Sequence, residues 1–186
     1  VLAYSYRVNY TESGSFLTDV TNFRNTADGE MDEVHTLRHR YAADVAVLLI
    51  DNPVACGRAF TIMADSYDTF AVVHWDCATG YYSFAHEIGH LQGARHNPEA
   101  DSKTTPFPYG HGYYYEAGHW RTIMSYECPA GCIRIPFWSN SDIFFNGVRL
   151  GTVATHDNAR VLTETADIIA WFKRESMPYL APLLLD

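Results

Sequence analysis

The residues with the clearest chemical potential are His86, Glu87, His90 and His96. They lie in the run His86-Glu87-Ile88-Gly89-His90-Leu91-Gln92-Gly93-Ala94-Arg95-His96, which reads H-E-x-x-H-x-x-G-x-x-H. On a helix, His86 and His90 stand one turn apart and point the same way. Two imidazoles on one face suit Zn²⁺, which takes His nitrogen at about 2.0–2.1 Å. Glu87 lies beside His86 but off the shared face. It is expected to take the proton of an attacking water rather than bind the metal. Gly93 permits a positive-φ exit from the helix, which can bring His96 back as the third ligand. Three protein ligands leave one position open, as a catalytic zinc site requires and a structural site does not. A bare H-E-x-x-H arises by chance on charged helices, but three His, one Glu and one Gly at fixed spacing are poorly explained that way.

Such a site needs a helix held against a sheet. Ser83 to Gln92 reads as the helix, with Gly93 as its stop. Phe70-Ala-Val-Val-His-Trp75 reads as the strand before it. Asp44-Val-Ala-Val-Leu-Leu-Ile50 is a continuous apolar run, the pattern of a buried strand. Phe60 to Ala64 is a short candidate edge strand, and Leu2 to Tyr10 alternates like another. Between them, Asn25 to Gly29 is turn-like. Asp28 to Ala43 then has Met31, Val34, Leu37, Arg38 and Tyr41 at helical spacing. From Ala94 to about Gly151, Gly, Pro, Tyr and Asn are frequent and periodicity is weak, so this stretch is expected to be loop-rich. Asp157 to Arg174 closes the chain as an amphipathic helix, with His156-Asp157-Asn158 as its cap. The expected fold is α/β (α+β): a mixed twisted sheet with the active-site helix in an upper half, residues 1–93. A loop-rich lower half, residues 94–186, is closed by the last helix.

The 186 residues fit a single domain with a real core. Thirteen Lys and Arg against 22 Asp and Glu leave a formal charge of −9, which argues against a nucleic-acid partner. No apolar run approaches a membrane span; the longest, Val45 to Ile50, is strand-sized. The 27 aromatic residues (4 Trp, 13 Tyr, 10 Phe) exclude a disordered chain. A monomer is expected. The cysteines are Cys56, Cys77, Cys128 and Cys132, and two disulfides could form in three pairings. A local bridge could close Cys128-Pro-Ala-Gly-Cys132, and Cys56 with Cys77 would then flank a predicted strand. A four-cysteine zinc site lacks the paired C-x2-C spacing. Disulfides imply an oxidising compartment, hence a secreted, extracellular protein. The chain begins at Val1 without a signal peptide, which suits a processed form.

Arg121-Thr-Ile-Met124-Ser-Tyr126 follows the zinc run, with Met124 28 residues past His96. Here the chain resembles the metzincin clan of zinc endopeptidases, whose long zinc helix is followed by a Met-containing turn. The resemblance implies a metzincin-like zincin fold in which Met124 forms an apolar floor beneath the three imidazoles. It also implies that Tyr126, two residues on, binds the metal at rest and stabilises the oxyanion in turnover, as in astacin-like and serralysin-like members. Trp75-Asp-Cys-Ala-Thr-Gly-Tyr-Tyr-Ser-Phe-Ala85, Tyr109-Gly-His-Gly-Tyr113 and Trp120 to Tyr126 look like the bacterial peptidyl-Asp metallopeptidases. These are secreted endopeptidases that cut on the amino side of acidic residues, and the likeness runs from about Met31 to Arg174.

In that clan the segment after the Met turn, here Glu127 to Asn140, walls the pocket for the residue following the cut bond. Arg134 lies in it and is the candidate to fork onto an acidic side chain; Arg121 is a second. Gly57 to Ala64 is the candidate edge to which an extended peptide adds. The expected partners are protein or peptide substrates. The alternatives are a metzincin of broad or hydrophobic specificity, or a non-catalytic zinc-binding module. Asp65 and Asp68 could join a Ca²⁺ site, and an acidic turn explains them equally. His35, His39 and His74 have no metal spacing, and His111 and His119, in the loop-rich half near the site, are expected to be hydrogen-bonding structural residues. Metzincin domains also open with a strand and a long helix behind the sheet. Only one strand and one helix precede Val45 in this reading, so Val1 is expected not to be the natural start.

Overall fold

The computed structural model describes residues 1–126 and 128–173. Three strands form the upper sheet: β1 (Ala46–Ile50), β2 (Gly57–Ala59) and β3 (Phe70–His74), in the order β1-β3-β2. β1 runs parallel to β3, and β2 runs antiparallel to it with Arg58 opposite Val72. Every residue of the central strand β3 is buried, which explains an apolar run without alternation. Phe70 and Val72 face one cluster with Phe16, Val20, Phe23 and Val34. Ala71, on the other face, packs with Leu91 and Ala59. The sheet is therefore covered by helices on both sides.

The covering helices on the first face are α1 (Phe16–Arg24) and α2 (Glu33–Arg40). α1 is absent from the sequence reading. Ser15 caps it by accepting from the Thr18 N–H, and Phe16, Val20 and Phe23 are its buried stripe. α2 is shorter than the expected Asp28–Ala43. Met31 has φ of +56°, and Asp32 accepts from the Ala27 and Gly29 N–H groups, so the preceding acids form a turn. Leu2 to Tyr10 forms no strand. Val8 and Tyr10 lean on the first core cluster, and Tyr4 stacks on Tyr41 at 4.2 Å. Its aromatic residues are used in packing rather than in a ladder. The edge strand falls at Gly57–Ala59 instead of Phe60–Ala64. Beyond Phe60 the chain turns away, and Met63 and Ala64 donate to the His90 and Leu91 carbonyls. They thereby satisfy orphan groups at a helix end.

That helix is α4 (Ser83–Leu91), preceded by the short α3 (Cys77–Gly80). The Cys56–Cys77 disulfide ties α3 to the start of β2. The lower half contains β4 (Tyr114–Tyr115), β5 (Trp120–Arg121) and β6 (Ile133–Arg134), then the hairpin of β7 (Phe144–Phe145) and β8 (Val148–Arg149). It is closed by α5 (Asn158–Ala170), whose cap is Asp157 accepting from the Arg160 N–H. The helix stops at Ala170, with Trp171 as its C-terminal cap, short of the expected Arg174, which lies outside the described residues. α5 is held by polar contacts: Asn158 donates to the Gly110 carbonyl and shares Ser139 with the His111 carbonyl. Among the described residues no helix is long and apolar enough to cross a membrane.

Candidate metal centre and active-site cleft

α4 ends as its sequence requires. Gly93 has φ of +102°, its N–H reaches the His90 carbonyl, and the Ala94 N–H reaches Gly89. This is the paired closure that a positive-φ residue makes possible. The chain then reverses and is clamped, as Arg95 donates to the Gly110 carbonyl and accepts from the Gly112 N–H. The reversal carries His96 under the helix. Its Nε2 lies 3.1 Å from that of His86 and 3.0 Å from that of His90. Tetrahedral bonds of about 2.05 Å would set such nitrogens about 3.3 Å apart. Among the described residues this is the only group of three or more His, Cys, Asp or Glu side chains placed to hold a metal ion.

The rings are held from behind. His86 Nδ1 bonds the Ile123 carbonyl at 2.8 Å and His90 Nδ1 bonds the Ala94 carbonyl at 2.9 Å. A carbonyl at Nδ1 fixes the proton there and leaves Nε2 as a lone pair. His111 Nδ1 bonds the His96 carbonyl at 2.7 Å and steadies that residue's backbone. Burial also keeps the rings neutral. It lowers His90 to about 4 and His96 to about 3, where the neighbouring His90 adds to the effect. His86 falls well below its ordinary value, through burial and then through His90 and His96. Neutral imidazoles converging on one point fit a divalent metal.

Glu87 points from the same helix toward β2. Burial pushes its pKa up to about 8, against the pull of the Ala59 N–H, Arg134 and Arg58. The turn bearing Met124 lies on the other side, with Ser125 N–H bonded to the Thr122 carbonyl. Met124 is fully buried beside Ala94 and Ile123, with its Sδ close under Gly89. The Tyr126 ring lies tilted by 34° against the His96 ring, with centroids 3.9 Å apart, and is half exposed. Its N–H donates to the buried Asn97 Oδ1 at 2.9 Å.

One cleft is lined by the three histidines, Glu87, Tyr126, Arg134 and Arg58. Arg134 donates through Nη1 to the Tyr81 carbonyl at 2.7 Å, while its buried Nε has no partner among the described residues. Burial, and then Arg121, lowers its pKa to about 10, so it remains a cation. Arg121 is spent on structure, donating to the Cys132 and Ser125 carbonyls. Cys128–Cys132 closes the loop between them; Glu127 lies outside the described residues. Away from the cleft, Asp68 pairs with Arg24 and Asp65 accepts from the Tyr67 and Asp68 N–H groups. The sequence reading missed Arg58 and Asn97, whereas His111 is the hydrogen-bonding structural residue expected near the site.

Comparison with known proteins agrees with this geometry. Metallo-peptidase family M12 matches residues 3–141. A protein of Stenotrophomonas maltophilia (strain R551-3) named peptidyl-Asp metalloendopeptidase is 56% identical over 168 residues, covering 89% of this chain and 40% of that protein. The chain thus spans about two fifths of that relative. A Pseudomonas fragi protein of the same name is 44% identical over 89% of this chain and 85% of its own length. A chain from a chaperone–substrate complex shares the fold, with a TM-score of 0.63 at 23% identity over 83% of this chain and 24% of its own. The chain belongs to metallopeptidase family M12, beside the relatives named peptidyl-Asp metalloendopeptidase.

Proposed function

We propose that the protein is a secreted zinc endopeptidase that cuts on the amino side of acidic residues, and that its two halves act as one catalytic domain, as a monomer. The observation that carries this is the convergence of three neutral imidazoles beside a buried carboxyl in an open cleft. Two disulfides support an extracellular setting. Calcium has little to recommend it, because Asp65 and Asp68 already have partners.

His86, His90 and His96 would hold the metal. Bound there, zinc supplies a Lewis acid that acidifies water and polarises a carbonyl. The chain's own residues do the rest. Cys56 and Phe60 direct their hydrogen bonds to β3, so Gly57 and the Ala59 carbonyl face the free edge, while the Ala59 N–H is turned to Glu87. An extended substrate can add there. Glu87 takes the proton of the attacking water and returns it to the leaving amine. Tyr126 offers a hydroxyl donor beside His96 for the developing oxyanion. Arg134, a cation lining the cleft, receives the carboxylate of the residue after the cut.

The test is a peptide panel varied only at that residue. Wild-type protein should prefer Asp and Glu over Asn and Leu. Arg134→Ala should lower kcat/KM for the Asp peptide about thirtyfold, the lower end of what truncating one partner of a desolvated charge pair costs, with a smaller fall for Asn. A flat or hydrophobic profile in the wild type would instead establish a broad-specificity peptidase.

A further inference from the structure

The cleft holds a second cation that the proposed reaction leaves unused. Arg58 is exposed, lines the cleft and makes no ion pair among the described residues. Its charge is felt at both Glu87 and Tyr126. Its place on the edge strand defines what it can meet. A Cβ on Gly57 would point at Glu87, and Ala59 packs with Leu91 of α4. Side chains alternate along a strand, so Arg58 stands on the opposite face of the edge, where Phe60 packs on the α1 cluster. A peptide added to this edge alternates too. Cross-strand neighbours share a face. If one substrate side chain turns down to Arg134, the next turns up to Arg58.

We propose that Arg58 reads a second acidic side chain, adjacent in sequence to the one received by Arg134, so that the preferred substrate carries two consecutive carboxylates at the cut. The inference rests on the peptidase reading and on edge-strand binding. It also accounts for how a chain of net charge −9 would attract acidic peptides, since cations on both rims offset the global repulsion locally.

The experiment fixes Asp after the cut and places Asp or Asn at the residue on either side. Wild-type protein should favour Asp over Asn at one of these flanking positions by about fivefold, as expected of a rim ion pair. Arg58→Ala should bring that ratio to about one, and Arg58→Glu should turn the preference toward Lys. Because Arg58 is exposed, the flanking ratio should shrink with ionic strength more steeply than the preference assigned to Arg134. Binding gives an independent readout. Fluorescence anisotropy of the labelled peptides on Glu87→Gln protein should show the same ratio in affinity, and its loss on adding Arg58→Ala. Indifference at both flanking positions, or a ratio untouched by Arg58→Ala, overturns the proposal. So does an Arg58→Ala protein that loses preference at the residue after the cut, since both arginines would then share one carboxylate. If the wild type neither cuts nor binds any of the panel, the peptidase reading fails and takes this inference with it.

Discussion

Glu87→Gln is expected to keep one zinc per chain and to lose about two to four orders of magnitude in kcat, the range ascribed to a positioned general acid–base. The substitution preserves shape. Gln can still accept from the Ala59 N–H that now bonds the carboxylate. It leaves the three imidazoles and their carbonyl partners alone. What it removes is the capacity to take a proton and give it back. Zinc content by atomic absorption and turnover of an Asp-containing peptide separate the two roles. Turnover within tenfold of wild type would sink the assignment. Loss of the metal would show that Glu87 helps hold it, which its place beside Gly57 and Ala59 argues against.

The convergence of His86, His90 and His96 was readable because every step in it is local. Helical spacing aligns the first two, and one positive-φ residue, Gly93, turns the chain toward the third. The α5 cap at Asp157 is local in the same way. The signals for α1 were also local, in Ser15, Phe16, Val20 and Phe23. They sit in nine residues rich in β-branched Thr and Val, where propensity favours no helix. The lower half was illegible for a different reason. Buried Arg95, His111, Thr122, Ser139 and Asn158 make up much of its interior. A core joined by hydrogen bonds leaves no hydrophobic period to find. Arg58 was missed because its role depends on the register of β2 against β3 and on which face meets α4. Both are long-range facts.

Gly57 is the residue whose importance is least visible in the sequence, and Gly57→Ala should lower kcat about a hundredfold with metal and fold retained, as a misplacement of about 1 Å can do. A Cβ added there would fall 2.5 Å from Glu87 Oε1, 2.8 Å from Cγ and 2.9 Å from Cδ. Contacts this short cannot persist, and the clash reaches Cγ, so a rotation of the carboxylate tip does not relieve it. One side must yield. β2 is pinned by the adjacent Cys56–Cys77 disulfide and by the bond from the His74 N–H to the Cys56 carbonyl. Glu87 is a single side chain lining the cleft, and pushing one of its χ angles about 30° off a rotamer costs of order 0.5–1.5 kcal/mol. The side chain is therefore expected to move. It would leave the Ala59 N–H and the point from which it meets the attacking water, while KM for the peptide changes little. A double-mutant cycle tests the cause. In a Glu87→Ala background the added methyl has room, so Gly57→Ala should have no further effect on residual turnover or on Tm. A Gly57→Ala protein with wild-type kcat would show that β2 gives way instead, and that the carboxyl is not held by the strand beside it.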